Sequence, residues 1–273
     1  MVCPVGGSLP APLRVDAEIE ANSTQGEASH RLLLRVPGWP GFAPGQFVMV
    51  SPGALEAVTR TDPLLPRPMA VYRGSGERIE ILYKRSGRGT ALLAQARPGQ
   101  RVRLVGPLGR PFPLPAAGER ALLVGGGTGI ASLYELAARL AAAGRCTVLL
   151  GARSAGDLMG QEDFEALGVA LRVATEDGSA GARGLVTALL EQELSRPGPA
   201  CVYACGPTPM MRRSAEIAAA AGAAAIVSLE NQMACGFGVC LGCAVPVRAG
   251  GFALVCRDGP VFAASDVAWD GLP

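Results

Sequence analysis

Four cysteines near the C-terminus are spaced for metal chemistry. Cys235, Cys240 and Cys243 form C-x4-C-x2-C, and Cys256 follows after a gap of twelve residues. Four thiolates in this order are the plant-type ligand set of a [2Fe–2S] cluster. Three ligands come from one short loop, and the fourth comes from Val255-Cys256-Arg257-Asp258-Gly259. Gly236, Gly238 and Gly242 stand between them. A chain without Cβ atoms bends tightly and aims backbone N–H groups at sulfur, which tunes a cluster's potential. A four-cysteine zinc site is the competing use, but its ligands usually arrive as two short-spaced pairs. Disulfides are disfavoured, because neighbouring thiols in a glycine loop seldom reach pairing geometry.

Two further stretches could bind phosphate. Gly125-Gly126-Gly127-Thr128-Gly129-Ile130 follows the apolar run Arg120–Val124 and opens a helix. Glycines allow a pyrophosphate close to the backbone, and a helix start offers free N–H donors. Cys205-Gly206-Pro207 follows the run Ala200–Ala204. If both runs are parallel strands, both loops lie at one carboxyl edge, where open α/β sheets bind ligands. Either loop alone is a weak signal, and together they indicate a dinucleotide site. No acidic residue closes the run Cys146–Leu150; Arg153 stands there instead. It would favour a 2′-phosphate or simply cap the strand.

A third constellation lies earlier: Arg67-Pro68-Met69-Ala70, then Leu82-Tyr83-Lys84, then Gly89-Thr90. Arg67 could pair with a phosphate. Gly89 and Thr90 could offer an N–H and a hydroxyl to a pyrophosphate at a helix start. Spacing alone fits ordinary β-turn chemistry equally well.

The elements that must position these residues divide the 273-residue chain into three. Residues 1–115 read as an antiparallel β-barrel, from short runs such as Leu13–Ala17, His30–Val36, Gln46–Ser51, Ala70–Tyr72, Arg78–Tyr83 and Arg101–Val105 between Gly/Pro turns. Gly106–Pro115 reads as the linker. Residues 116–230 alternate strands with helices at Gly184–Leu194 and Pro209–Ala221, and after the glycine loop with Leu133, Leu136, Ala137 and Leu140 on one face. That indicates a doubly wound parallel sheet. Residues 231–273 form a small cysteine module with little else to pack, so its metal should organise it.

Net charge is +2, which gives no case for nucleic acid or an anionic membrane. No apolar run suggests a membrane span, and no signal peptide is evident, so a reducing cytoplasm is expected. The single histidine, His30, excludes a multi-histidine metal site and a Rieske centre, and it reads as a surface residue. Cys146 and Cys201 read as small core residues.

Taken together, Arg-Pro-x-x, Lys-x-x-Gly-x-Gly-Thr, Gly-Pro-Leu-Gly, Gly-Gly-Gly-x-Gly-Ile, Cys-Gly-Pro and the cysteine quartet resemble the ferredoxin–NADP reductase superfamily. The C-terminal Met-Ala-Cys-Gly-x-Gly-x-Cys-x-Gly-Cys with Cys-x-Asp-Gly-Pro-Val-Phe is more closely similar to the electron-transfer subunits of NAD-dependent (class 1B) dihydroorotate dehydrogenases. That resemblance implies FAD on the barrel, held by Arg67, Pro68, Met69, Ala70, Leu82, Tyr83, Lys84, Gly89 and Thr90. It implies NAD(H) at Gly125, Gly126, Gly127, Thr128, Gly129, Cys205, Gly206 and Pro207, and a [2Fe–2S] cluster on Cys235, Cys240, Cys243 and Cys256. It also implies a separate FMN-containing subunit that oxidises dihydroorotate to orotate in pyrimidine biosynthesis, usually as α2β2. The chain would then relay electrons between NAD and that partner and carry no acid–base group for dihydroorotate. Cys205 would orient the nicotinamide rather than act as a nucleophile, and NADH stands ahead of NADPH on the resemblance alone. Ala70 departs from the family's usual serine, and the gap before Cys256 is short. The alternatives are another flavin/iron–sulfur partner, of sulfide dehydrogenase or transhydrogenase type, or a zinc-stabilised binding protein without a redox role.

Overall fold

The computed structural model describes residues 9–26, 28–52 and 65–272; Cys3 lies outside them. The N-terminal strands are β1 (Leu13–Thr24), β2 (Ser29–Arg35), β3 (Phe47–Val50), β4 (Arg67–Ala70), β5 (Arg73–Ser75), β6 (Arg78–Lys84) and β7 (Arg101–Leu108), with a short helix α1 (Arg88–Ala94) before β7. They form one antiparallel sheet in the order β4-β3-β7-β1-β2-β6-β5. The period-two alternation of the strands puts Ala17, Ile19, Leu32, Leu34, Val48, Val50, Ile79 and Ile81 inside. The sheet curls until its ends meet: Val71 N–H donates to the Gln46 carbonyl and Tyr72 N–H to the Glu80 carbonyl. Pro68 lacks a donor, which suits β4 as an edge strand. The expected strand Ala70–Tyr72 is therefore displaced, ending at Ala70 where the chain crosses to β5.

The second sheet runs β11-β10-β9-β8-β12-β13-β16, its last strand being the antiparallel β16 (Val261–Ala263). Its parallel strands are β8 (Arg120–Gly126), β9 (Cys146–Ala152), β10 (Ala170–Thr175), β11 (Ala182–Arg183), β12 (Ala200–Cys205) and β13 (Ala224–Ser228). Between them lie α2 (Tyr134–Ala141), α3 (Gln161–Ala166), α4 (Val186–Leu194) and α5 (Thr208–Ala220). β8 and β12 sit at the centre, covered on both faces, so they read as continuous apolar runs. Leu123 and Val148 pack with Leu136, Ala137 and Phe164. The alternate residues Leu122, Val124 and Leu149 face the other way, onto Leu189, Leu190, Met211 and Ile217. Cys146 and Cys201 are core residues here, as their apolar runs indicate.

Two expectations change. Gly106–Pro115 is not a simple linker: β7 continues through Leu108, pairing Gly106 with Leu13 and Leu108 with Phe47. Beyond it, Arg110 N–H donates to Gly259 and Phe112 N–H to Pro44, and the Phe112 ring lies edge-on to Tyr203 at 5.8 Å. The stretch's buried residues, among them Leu108 and Phe112, form a seam where three regions meet. The cysteine module, too, has more to pack than its cysteines. It contributes the hairpin β14 (Ala244–Pro246) and β15 (Phe252–Leu254), while β16 (Val261–Ala263) adds antiparallel to β13. Cys243, Val245, Leu254, Val255, Cys256 and Val267 share one core with Val124 and Val202 of the α/β sheet and with Phe47, Met49 and Leu108 of the curled sheet. Among the described residues no helix is long and apolar enough to cross a membrane.

Candidate functional site

The two glycine loops meet because β8 and β12 are adjacent and parallel, with Cys205 opposite Gly125. Gly129 lies within a 3₁₀ turn (Gly127–Ser132) and packs directly on the second loop. A Cβ there would fall 2.4 Å from the carbonyl of Cys205 and 2.5 Å from Gly206 N, so only glycine fits. Gly206 returns the contact, since its own Cβ would lie 2.8 Å from the Gly126 oxygen. The cradle is thus built backbone on backbone. Cys205 is fully buried beneath it. Burial, then the nearby Glu230 carboxylate, pushes its thiol up to about 12, partly offset by the Ser132 and Ser228 hydroxyls. A thiol so held stays protonated at neutral pH.

A cleft of about 570 Å³ opens at this carboxyl edge, lined by Gly126 and Gly127, Arg153 after β9, Glu176 after β10, Pro207 after β12, and Lys84 from the curled sheet. Its size and mixed lining suit a dinucleotide. The sequence reading named Arg153 but missed Glu176. Two acidic residues line the cleft, Asp157 beyond β9 and Glu176 at the end of β10, the latter brought there by the strand order. Lys84 does not stay on its own sheet either. Its Nζ donates to Asp157 Oδ1 at 2.6 Å, across the boundary between the sheets.

On the curled sheet, Arg67, Pro68, Met69 and Ala70 make up β4, and Leu82, Tyr83 and Lys84 end β6. Arg67 lies over Gly89, whose Cβ would sit 2.6 Å from Arg67 Nε, so the guanidinium and the α1 turn share one spot. A cation against a glycine turn is a donor set that fits a diphosphate. Thr90 shapes the turn itself: its hydroxyl accepts from Ser86 N–H (3.0 Å) and Gly87 N–H (3.2 Å) and donates to the Gly87 carbonyl (3.1 Å). Tyr83 is buried and donates to Asn22 Oδ1 at 3.0 Å. Its ring stacks on His30 at 5.1 Å, so His30 is half-buried rather than a free surface residue.

The four sulfurs of the module fall into two pairs. Cys243 and Cys256 are buried with their Sγ atoms 3.2 Å apart, and Cys256 N–H points at Cys243 Sγ at 3.4 Å. Cys235 and Cys240 form the outer pair, Cys240 being exposed. Burial acts to raise the Cys235 thiol, but the N–H groups of Cys240 and Phe237, the Cys240 thiol and the Val239 N–H outweigh it and bring it down to about 6. Gly238, at φ +86°, turns its own N–H toward Cys256. Among the described residues no three His, Cys, Asp or Glu side chains converge as a single-ion site requires. Two thiol pairs ringed by N–H donors suit a two-iron cluster, in which each iron takes two thiolates.

A curled antiparallel sheet, a parallel sheet with fused glycine loops and a four-cysteine module define an oxidoreductase of the ferredoxin-reductase type. The solved structure reported under the NADH-dependent reduced ferredoxin–NADP oxidoreductase is 31% identical and covers 98% of this chain and 92% of its own, with a TM-score of 0.82. The ferredoxin reductase of carbazole 1,9a-dioxygenase, 22% identical with a TM-score of 0.66 over 78% of this chain and 67% of its own, shows the shared fold. Two family models match: the oxidoreductase NAD-binding domain over residues 123–216 and the iron–sulfur cluster binding domain of dihydroorotate dehydrogenase B over residues 230–268.

The chain belongs to the electron transfer subunits of NAD-dependent dihydroorotate dehydrogenase B. It is 43% identical over 231 residues to the dihydroorotate dehydrogenase B (NAD(+)) electron transfer subunit of Bacillus caldolyticus, covering 82% of this chain and 86% of the relative. It is 37% identical over 249 residues to the probable counterpart of Methanopyrus kandleri, covering 91% and 89%.

Proposed function

We propose that the chain carries electrons between NAD(H) and a separate FMN-containing catalytic subunit that oxidises dihydroorotate to orotate, in an α2β2 assembly. The functional division follows residues 1–115 for FAD, 116–230 for NAD(H) and 231–273 for the [2Fe–2S] cluster. When bound, FAD and the cluster supply the conversion between two-electron hydride exchange and one-electron transfer. The protein's task is to hold, orient and insulate.

The observation that carries this reading is the position of the curled sheet. On one side Met49 packs on the cluster loop so closely that a Cβ on Gly236 would lie 2.5 Å from Met49 Cγ. On another, Lys84 lines the dinucleotide cleft. The sheet assigned to the flavin therefore touches both neighbouring sites. Gly125 to Gly129, Gly206 and Pro207 would hold the dinucleotide's diphosphate by backbone N–H groups. Arg67, with Gly89 beside it, would hold that of the flavin. The protonated Cys205 shapes the floor and offers no thiolate for covalent chemistry. Cys235, Cys240, Cys243 and Cys256 would ligate the iron, with the module's N–H donors stabilising the thiolates. Exposed Cys240 lies among exposed Phe237, Val239 and Leu241. An apolar face beside an exposed ligand supports this as the surface the catalytic subunit covers. Unpaired thiolates suit the cytoplasm.

The test is reconstitution with an FMN-containing dihydroorotate dehydrogenase catalytic subunit. Dihydroorotate should reduce NAD only when both chains are present. A second reading, an electron-transfer subunit for another partner, rests on the 31% identity to the ferredoxin–NADP oxidoreductase structure. Activity with a different donor and none with dihydroorotate would favour it.

A further inference from the structure

The boundary between the two sheets carries a charged cluster that none of the cofactor sites uses. Asp163, on α3 of the α/β domain, is gripped by three groups of the curled sheet. Arg31 holds it through Nη2 on Oδ2, Arg73 Nη1 lies 2.9 Å from Oδ1, and Tyr72 Oη donates to Oδ2 at 2.9 Å. Glu80 completes the set, accepting from Arg31 at 3.1 Å and from Arg73 at 2.8 Å. Two cations and two carboxylates thus balance in a half-buried ring. The guanidiniums also lie over aromatic faces: Arg31 is 5.6 Å from the Tyr72 centroid, and Arg73 is 5.9 Å from that of Tyr134.

The grip extends along the chain toward the dinucleotide. Gly160 meets Tyr72 so closely that a Cβ would lie 2.6 Å from the phenol oxygen. Gly26 abuts Gly156, where a Cβ would lie 2.8 Å from the Gly156 oxygen. Lys84 holds Asp157 at 2.6 Å. Every one of these contacts falls on residues 156–163. That segment follows Arg153, and Arg153 and Asp157 both line the cleft. The wall of the dinucleotide site is therefore anchored to the other sheet as well as to its own, where Met159 and Phe164 pack.

We propose that Asp163 is a positioning residue: by clamping α3 between Arg31 and Arg73 it sets the alignment of the dinucleotide cleft against the curled sheet. The inference rests on the reading that the flavin occupies that sheet and NAD(H) the cleft. Hydride transfer requires close, well-oriented rings, and a small misalignment costs rate without costing binding. Asp163→Asn removes the charge at nearly constant shape and leaves two partly desolvated guanidiniums facing one carboxylate.

The experiment is anaerobic stopped-flow reduction of the holoprotein by NADH, following flavin bleaching and the long-wavelength charge-transfer absorbance of stacked flavin and nicotinamide. Wild-type reduction by NADH is the control on the underlying reading; if wild type is not reduced, that reading fails, independently of Asp163. With wild type active, Asp163→Asn should slow reduction at saturating NADH by about tenfold, change half-saturation by less than about threefold, and weaken the charge-transfer band. Asp163→Glu, which keeps the charge, should recover most of the rate. Wild-type rate and a full band in Asp163→Asn overturn the proposal, and so does a loss confined to half-saturation. Should Asp163→Asn not fold, Arg73→Gln takes the same measurement: Asp163 keeps Arg31 and Tyr72 as partners, so no carboxylate is left unpaired, while the Arg73 arm of the clamp is lost. A slower rate at unchanged half-saturation supports the clamp, and a wild-type rate overturns it.

Discussion

Cys205 and Cys235 place the same side chain in opposite situations. Cys205 ends a central strand, is fully buried, and has its thiol raised to about 12. Cys235 sits in a loop of glycines, and its thiol is lowered to about 6 although desolvation acts on it too. Two things differ: Cys205 is far more deeply buried, and the backbone N–H groups point in different directions. At Cys205 the neighbouring backbone is consumed by the parallel ladder, which pairs it with Gly125 and Ser228. At Cys235 the N–H groups of Phe237, Val239 and Cys240 are turned inward and favour the thiolate. Glycine serves both regions by different means. Gly129 is required by space, against the Cys205 carbonyl, while Gly238 is required by its φ of +86°.

The comparison breaks most completely at the cluster. Cys243→Ser removes one of the buried pair and should take iron from about two per chain to near none. Its flavin content should be unchanged, because the flavin and cluster sites are separate. Iron and flavin assays on the same sample check both halves.

Gly129→Ala attacks the other region. The added Cβ cannot stay 2.4 Å from backbone, so the two loops must part. We expect a stability loss of about 1–3 kcal/mol, as overpacked sites show. NADH affinity should fall about tenfold or more while the cluster spectrum stays intact. A thermal melt and an NADH titration measure these.

The clamp between the regions should respond to acid. Burial raises the Asp163 carboxyl, but the hydrogen bonds from Arg31 and Tyr72 and the charges of Arg31 and Arg73 outweigh it, leaving a net depression. A depressed carboxylate contributes stability above its unfolded value, about 3.9, and loses it as pH falls through the folded value. Wild type and Asp163→Asn should therefore differ in urea midpoint at pH 7 and converge well below about pH 4.

Cys205→Ser should have the smallest effect. The serine keeps partners in the Ser132 and Ser228 hydroxyls, and no thiolate is used. Flavin reduction should stay within about tenfold of wild type. Complete loss would assign the thiol a chemical role.

The sequence carried the local signals and missed the distant ones. The cysteine spacing, the glycine loops and the alternating runs were legible because each is contained in a few consecutive residues. The Asp163 clamp was not, because Arg31 and Arg73 lie 132 and 90 residues away along the chain. Glu176 was passed over because strand order decides which turn faces the cleft. β13 was missed as an Ala-rich run without alternation, and α3 because it spans only six residues. The cysteine module appeared self-contained because its packing partners, Met49 and Leu108, belong to the first sheet.

The most direct test of the relay is an anaerobic visible spectrum of the purified chain before and after NADH. The account predicts flavin bands with additional iron–sulfur absorbance, both bleached by NADH. A protein that stayed colourless after reconstitution with FAD, iron and sulfide would contradict it.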